Sequence, residues 1–423
     1  MVRRLYVLLH YLALPFVIAR MAWRGQRNRG YWDRWGERFG YLPALPPLGE
    51  VIWIHAVSVG EVQAAIPLVR ALEARGGELR VVITTTTPTG AERVAQTIGD
   101  VAIHRYAPYD VPGAVNRFLD AVRPRLVVIM ETELWPNILH ICAERAIPVL
   151  LANMRMSERS AARYRRVASA TRAMLARATY VAAQTVEDAE RFVSLGADPA
   201  SVEVTGNTKF DVKLPASLRE QAQALRRALG VDRSVWIAGS THEGEEEQVL
   251  DAFARVRRAV PDAVLVLVPR HPERAGSVAA LCRRRGLEVF MRTQGVDVPA
   301  GIDVFLGDTM GELPLFYAAA DVAFVGGSLV NEGGHNMLEP AALGVPVVYG
   351  RHVFDFAEIA VRLGEIGAGR QVDSAAELAD VVVEYLRDAN LRHGAGETGR
   401  AFVESNRGAL ARLLAIIDGL MGR

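Results

Sequence analysis

Residues 333–350 read GGHNMLEPAALGVPVVYG, and their pattern predicts a loop, a short helix and then a buried strand. Two glycines at the start allow the backbone to approach a ligand closely. Asn336 can cap the helix, whose first N–H groups have no helical partners and suit a phosphate. Glu339 lies in the predicted first turn, where a carboxylate can bind the two hydroxyls of a ribose. The stretch therefore predicts a nucleotide-binding site, although many α/β proteins have a glycine-rich turn before a helix.

Short apolar runs alternate with helical patterns from residue 50 onward, which is typical of parallel sheets covered on both faces. The pattern breaks near Asp211–Pro215 and restarts with a helix at Ser217–Leu229. The chain of 423 residues is too long for one core, so we expect two doubly wound α/β domains joined near residue 213. The predicted strands are Val51–His55, Leu79–Thr87, Leu126–Met130, Pro148–Ala152, Tyr180–Gln184, Val235–Gly239, Ala263–Val268, Glu288–Met291, Asp303–Leu306, Val322–Gly326 and Pro346–Tyr349.

The composition excludes several classes of function. With 50% hydrophobic residues, 23% charged residues and a net charge of +1, the chain lacks the basic excess of a nucleic-acid-binding protein. Cys142 and Cys282 are too far apart to indicate a disulfide framework or a zinc site. Among 49 basic residues, only Lys209 and Lys213 are lysines. A retained lysine can mark a place that needs a compact ammonium, with chance retention as the default for Lys213.

The N-terminal 30 residues predict a membrane anchor. Leu5–Ala19 is nearly all apolar, but it is shorter than the roughly 20 residues that span a bilayer. Residues 1–40 then contain eight arginines against two acids, with tryptophans interleaved. The positive flank after the apolar run places the rest of the chain in the cytoplasm. A spanning helix and an amphipathic helix lying in the membrane surface both stay open.

Polar loops follow many of the predicted strands, at the sheet edge where ligands of doubly wound folds bind. Each loop has a structural explanation, since acids at helix starts stabilise the helix dipole. Their shared position makes one site more probable than independent caps, and we expect that site in the cleft between the domains. The loops are His55–Glu61, Met130–Asn137, Gly206–Asp211, Gly239–Thr241, Pro269–Arg274 and Gly307–Glu312.

The motifs SVGE, METELWPN, GNTKFD, PRHPER, GDTMGE and GGHNMLEPAALGVPVVYG, in this order, resemble those of the Kdo transferases (3-deoxy-D-manno-octulosonic acid transferases of lipopolysaccharide biosynthesis). The resemblance covers nearly the whole chain, including the anchor and the segment RWGERFGY. It implies an α/β GT-B glycosyltransferase fold, with two Rossmann-like domains that face a central cleft. The acceptor domain would cover residues 31–213 and the CMP-Kdo-binding domain residues 214–423, with a last helix able to pack back on the first domain.

The resemblance also implies an activity and its residues. The family transfers Kdo from CMP-Kdo to the lipid A precursor at the cytoplasmic face of the inner membrane. Glu61 would be the base of an inverting reaction, with Glu131 and Lys209 stabilising the transition state. Because Glu61 begins a predicted helix, we expect a lowered carboxylate pKa. The implied donor contacts are Pro269, Arg270, Met310, Gly311, Glu312, Asn336, Met337, Leu338 and Glu339.

No cofactor and no metal are expected. No D-x-D motif is visible in the loops after the strands, and CMP leaves with a single phosphate that an arginine, a lysine and a helix start can neutralise. We therefore predict metal-independent transfer.

Three alternatives stay open. Another membrane-associated GT-B transferase using a UDP-sugar shares the second-domain motifs, but it does not explain SVGE, METELWPN and GNTKFD together. A GT-B isomerase such as a UDP-sugar 2-epimerase has no use for a membrane anchor. A non-catalytic sugar-nucleotide-binding scaffold requires a damaged site, whereas Glu61, Glu131 and Lys209 are all present.

Overall fold

The computed structural model describes residues 2–43, 49–212, 214–215, 217–295, 297–354 and 356–422. The chain divides into two compact units, one formed by Met1–Asp211 with Asn406–Arg423 and the other by Val212–Ser405. The sequence pattern assigned the end of the chain to the second domain and allowed the last helix to pack back on the first. In the structure, this end of the chain groups with the first unit. Lys213 lies outside the described residues.

The first unit is built on a seven-stranded parallel sheet. Its strands are β1 (Val51–His55), β2 (Arg80–Thr85), β3 (Ala102–Tyr106), β4 (Leu126–Met130), β5 (Val149–Met154), β6 (Tyr180–Ala183) and β7 (Val202–Val204). They lie in the order β3-β2-β1-β4-β5-β6-β7. Every residue of β1 and β4 is buried, as their continuous apolar runs require of strands covered on both faces.

The N-terminal helix is α1 (Val2–Arg27). The helices that cover both faces of this first sheet include α2 (Val59–Glu73), α3 (Pro88–Thr97), α4 (Pro112–Val122), α5 (Pro136–Glu144), α6 (Glu158–Arg165), α7 (Ala168–Leu175) and α8 (Val186–Ser194). Two hydrophobic clusters, one on each side of the sheet, bury strands and helices together.

The second unit repeats this architecture. Its strands are β8 (Val235–Thr241), β9 (Val264–Pro269), β10 (Val289–Met291), β11 (Val304–Leu306), β12 (Val322–Val325), β13 (Val347–Tyr349) and β14 (Gly369–Gln371), all parallel, in the order β10-β11-β9-β8-β12-β13-β14. Its helices are α9 (Leu218–Leu229), α10 (Glu245–Ala259), α11 (Ala275–Arg284), α12 (Leu313–Ala318), α13 (Leu338–Ala342), α14 (Ala357–Glu365), α15 (Ala375–Arg387) and α16 (Ala389–Ser405).

The last helix, α17 (Ala409–Met421), packs in the first unit. Leu413 and Ile417 belong to the hydrophobic cluster formed around α2. The Asp211 carboxylate accepts hydrogen bonds from the N–H groups of Gly408 (2.7 Å) and Leu410 (2.6 Å) at the start of this helix. A carboxylate at that end also stabilises the helix dipole.

Each sheet has one place where the strand order reverses. This topological switch point lies between β1 and β4 in the first unit and between β8 and β12 in the second. Ligands of doubly wound sheets bind outside the carboxyl ends of the strands at such points. The loops that leave these four strands are therefore the first places to look for a site.

The N-terminal helix α1 exposes a large apolar face. Among the described residues, it is the one helix long and apolar enough to cross a membrane, over Leu5–Arg27, and 6% of its most apolar window is buried. Leu12 and Phe16 are 67% and 72% exposed. The opposite side of α1 contacts the rest of the first unit. There the Tyr6 hydroxyl donates a hydrogen bond to Asp110 (2.9 Å). The Tyr109 hydroxyl contacts the Met21 sulfur further along the helix.

Candidate active site

Glu61 lies in the first turn of α2, directly after β1. Its N–H donates to the hydroxyl of Ser58, the residue that caps the helix (3.3 Å). In return the Glu61 carboxylate accepts hydrogen bonds from the Val57 N–H (2.6 Å) and the Ser58 hydroxyl (3.2 Å). The motif SVGE thus starts the helix with a reciprocal cap. It also fixes a carboxylate that is 5% exposed at the switch point of the first sheet.

The environment of Glu61 holds a proton on this carboxylate near neutral pH. Burial raises its pKa to about 8, and the nearby carboxylates of Glu133 and Glu131 add to this effect. The hydrogen bonds from Val57 and Ser58 oppose the shift but do not cancel it. The lowered pKa expected from the helix start is therefore wrong, because desolvation and two like charges outweigh the helix dipole. A carboxyl group with this pKa suits general base catalysis.

Glu131 directly follows β4, on the other side of the same switch point. Its backbone has a φ of +56°, a conformation that is uncommon outside glycine and recurs at functional sites. Its Oε1 atom lies 3.5 Å from Lys209 Nζ, and its Oε2 atom lies 3.8 Å from Arg155 Nε. Both the carboxylate and the ammonium are largely buried, with side chains 6% and 14% exposed.

Hydrogen bonds from a neighbouring residue fix the position of Lys209. The lysine lies in a single helical turn, Thr208–Phe210. The Thr208 hydroxyl donates to the carbonyl of Ala64 in α2 (3.1 Å), and its N–H donates to the Asn153 side chain (3.1 Å). The turn is therefore tied to the helix that carries Glu61. The structure brings Glu61, Glu131 and Lys209 together at one edge of the first sheet.

In the second unit, the predicted nucleotide loop forms a small hydrogen-bonded group. Helix α13 begins at Leu338 with Met337 as its N-cap residue, so the prediction that Asn336 is the N-cap is wrong by one position. Asn336 lies in the preceding loop, and its Oδ1 accepts a hydrogen bond from the Leu338 N–H (3.1 Å). The Asn336 amide also donates to Glu339 Oε1 (3.1 Å). Burial raises the pKa of Glu339, against the effects of Asn336 and of the Arg270 guanidinium. Met337 and Leu338 are fully buried.

The remaining predicted donor residues are less closely connected. Pro269 ends β9, and the N–H of Arg270 donates to the Thr241 carbonyl (2.9 Å). Met310 is 70% exposed, and Gly311 has a φ of +83°. Glu312 forms an ion pair with Arg292 (2.8 Å), on the outer part of its loop. No hydrogen bond or ion pair among the described residues joins positions 310–312 to Arg270, Asn336 or Glu339.

Sequence reasoning missed the residues at the switch point of the second sheet. His242 follows β8, and its Nε2 atom lies 2.8 Å from Nε2 of His335. Glu245, which is fully buried, links the loops after β8 and β12 through its carboxylate. The signal was present in the letters STHEGEEE, which come directly after a predicted strand.

Metal ligation is not indicated by the side chains at hand. Among the residues that the structure describes, no group of three or more His, Cys, Asp or Glu could hold a metal ion. Metal-independent transfer stays a prediction.

Comparisons with known proteins show the family of this chain. Residues 33–212 match the family model described as 3-deoxy-D-manno-octulosonic-acid transferase (kdotransferase), and residues 240–402 match glycosyl transferases group 1. The chain is 40% identical to the 3-deoxy-D-manno-octulosonic acid transferase of Haemophilus influenzae over 425 residues, covering all of this chain and 99% of the relative. The chain belongs to the Kdo transferase family. The predicted resemblance is thereby confirmed, and UDP-sugar enzymes become the weaker alternative.

Two solved structures that are similar to this chain are compared with it. The C-terminal CMP-Kdo binding domain of WaaA from Acinetobacter baumannii is 34% identical and covers 44% of this chain and 98% of its own, with a TM-score of 0.42. The UDP-GlcNAc 2-epimerase of Neisseria meningitidis is 14% identical and covers 87% of this chain and 99% of its own, with a TM-score of 0.52. The epimerase likeness concerns the fold alone. Together with the two parallel-sheet units, it confirms the predicted GT-B fold.

Proposed function

We propose that this Kdo transferase moves Kdo from CMP-Kdo to the lipid A precursor, with inversion at the anomeric carbon and with Glu61 as the base. The observation that carries the proposal is a buried carboxyl group of raised pKa at a switch point, beside a buried Glu131–Lys209 pair. Membership of the family supports Kdo as the transferred sugar.

The proposed reaction exchanges one bond for another at the anomeric carbon. The acceptor oxygen attacks that carbon as its bond to the CMP phosphate breaks, and Glu61 takes the hydroxyl proton. Positive charge develops on the sugar ring and negative charge on the departing phosphate. The Lys209 ammonium stabilises the negative charge, and the Glu131 carboxylate holds the lysine charged and in place.

The donor contacts are proposed on the second unit. Arg270 suits the phosphate by its charge and its planar fork of donors. Glu339 suits the ribose hydroxyls, since Asn336 holds its carboxylate in the loop before α13. The backbone of Met310–Glu312 is proposed to contact the cytosine base, and Pro269, Met337 and Leu338 complete the donor site.

We also propose that α1 lies in the surface of the inner membrane, on its cytoplasmic side, rather than spanning it. The contacts of Tyr6 and Met21 with the first unit hold the helix along that unit over about four turns. Its exposed face, with Leu12 and Phe16, then enters the lipid.

Charged substitutions on that face should detach the protein from membranes. Leu12→Glu with Phe16→Glu is expected to lower binding to anionic vesicles by about 10-fold or more, because two apolar side chains no longer enter the lipid. Co-sedimentation with vesicles measures this, and Val186→Glu, at an exposed position in α8, is the control. Resistance of the wild-type protein to extraction by alkaline carbonate would show a spanning helix instead.

The transferase assignment is tested with purified full-length protein, a tetra-acylated lipid A precursor and CMP-Kdo or UDP-sugars in parallel. We expect CMP release and a Kdo-bearing lipid, detected by mass spectrometry, with CMP-Kdo only. Excess EDTA is expected to leave the rate unchanged, because cationic side chains can neutralise the single phosphate of a CMP leaving group without a divalent cation. Activity lost in EDTA and restored only by added metal contradicts metal independence. Binding of CMP-Kdo without any turnover supports the scaffold alternative.

A further inference from the structure

A pair of histidines occupies the switch point of the second sheet. His242 lies in the loop after β8, and His335 lies in the loop between β12 and α13, next to Asn336. Strands β8 and β12 are neighbours at the place where the strand order reverses, so these loops meet where ligands of such sheets bind. In the first unit, the equivalent place holds Glu61 and Glu131.

The two rings lie within hydrogen-bonding distance of each other. Their Nε2 atoms lie 2.8 Å apart, while the ring centroids lie 5.1 Å apart and the planes differ by 9°. The nitrogens are therefore the nearest points of two nearly parallel rings, as an N–H···N hydrogen bond requires. One Nε2 must carry a hydrogen and the other must accept it. The pair can take up one further proton at an outer nitrogen and keep this bond, which gives it one positive charge.

Buried contacts build this arrangement. The Glu245 carboxylate accepts hydrogen bonds from the N–H groups of His242 (3.2 Å), Gly327 (2.7 Å), Ser328 (3.0 Å) and Leu329 (2.9 Å). It thereby ties the loop after β8 to the loop after β12. Gly327 has a φ of +69°, and a Cβ atom there would lie 3.1 Å from the His335 ring. The glycine allows the ring to lie against the backbone.

The charges around the pair are mixed. Arg270 and His271 face His242 from the loop after β9, and the His271 ring is perpendicular to it at 6.0 Å. Glu332 faces it from the loop after β12, and Glu246 faces it from α10. Burial lowers the pKa of His242, and a bound anion would favour its protonated form.

We propose that the His242–His335 pair binds the carboxylate of the donor sugar and takes up a proton as it does so. This inference rests on the proposed function, in which the donor carries two anionic groups, a phosphodiester and a carboxylate. Arg270 has the fork geometry that suits the phosphate. The imidazole pair supplies the second positive charge, and its His335 lies one residue before Asn336. The described side chains that contact Asn336 and Glu339 do not otherwise provide this second charge.

The test compares CMP-Kdo with CMP, which keeps a phosphate and loses the whole sugar with its carboxylate. His242→Gln and His335→Gln each remove one ring of the pair, and the double variant removes both titratable rings. We expect the KM for CMP-Kdo to rise by about 10- to 100-fold, as for a lost charge-assisted hydrogen bond, while inhibition by CMP changes less than about 2-fold. The wild-type KM should fall from about pH 8 to about pH 6 as the pair becomes charged, and the KM of the double variant should stay flat. His393→Gln, at an exposed position in α16, is the matched control, with a KM close to that of the wild type.

The outcomes separate this inference from the proposed function. An unchanged KM for CMP-Kdo in both variants overturns the inference. Equal weakening of CMP and CMP-Kdo also overturns it, because the histidines then support the nucleotide site or the fold. A wild-type protein that releases no CMP from CMP-Kdo contradicts the proposed function itself, whatever the variants do.

Discussion

Replacing Glu61 by glutamine is expected to lower kcat for Kdo transfer by about 10²- to 10⁴-fold, the usual contribution of a general base. Glutamine can keep the hydrogen bond from the Val57 N–H and can preserve the start of α2, but it cannot take a proton from the acceptor. The KM values should change little, since the amide keeps the volume of the carboxyl group. Initial rates of CMP release measure the effect. A variant that retains more than about a tenth of wild-type kcat would reduce Glu61 to a helix cap.

The same residue sets the expected pH dependence. Glu61 must be ionised to act as a base, and its pKa is about 8. The wild-type kcat should therefore rise from about pH 6, be half-maximal near pH 8 and level off above about pH 9, whereas the residual kcat of Glu61→Gln should not follow this curve. The measurement uses kcat rather than kcat/KM, because loss of the proton from the histidine pair would raise KM over the same pH range and mask the rise of kcat in the ratio.

Stability provides an independent readout of the raised pKa. The folded-state pKa of Glu61 lies above the ordinary value of 4.5. Its contribution to stability is therefore fully present below about pH 4.5 and is lost as the pH rises through about 8. Glu61→Gln should accordingly be more stable than the wild type at about pH 9, by on the order of 2 kcal/mol, and close to it at about pH 5. Urea unfolding at both pH values checks this, with Glu190→Gln, on the exposed face of α8, as the control.

The parallel sheets could be predicted because their central strands are continuous apolar runs. The bounds of β1 and β4 agree with the sequence pattern residue for residue. The strands β3, β7 and β14 were missed because they lie toward or at sheet edges. The letters AIHRY, VEV and GRQ carry too little buried apolar sequence to mark a strand. Sequence periodicity reports burial on both faces, which edge strands lack.

Features of the site that depend on residues adjacent in the chain could be predicted from the sequence. Features that depend on which strands lie side by side could not. The position of Glu61 follows from a strand, a loop and a helix that are adjacent in the chain. Its raised pKa does not, because that pKa depends first on burial in the folded chain and then on Glu133 and Glu131, which come near through the pairing of β1 with β4. His242 and His335 are 93 positions apart and meet only because β8 lies beside β12.

Lys209→Met is expected to lower kcat by about 10²- to 10³-fold, as when one preorganised charge at a transition state is removed. The Lys209 ammonium is mostly buried and lies 3.5 Å from the Glu131 carboxylate, so it is held in place before the substrate arrives. Arg155→Met is the matched control, since Arg155 contacts the other oxygen of Glu131 at 3.8 Å with a side chain that is 48% exposed. Its loss should change kcat by less than about 5-fold, because a solvated cation contributes little.

A double substitution distinguishes charge pairing from catalysis at Lys209. Lys209→Met leaves a buried carboxylate at Glu131 with less compensation, which destabilises the fold by up to about 3–5 kcal/mol. Adding Glu131→Gln removes that charge, so stability should return toward the wild-type value in urea unfolding. The activity should not return, because the positive charge that stabilises the leaving phosphate is still missing. Recovery of kcat together with stability would mean that Lys209 only neutralises Glu131, and the leaving phosphate would then require another cation.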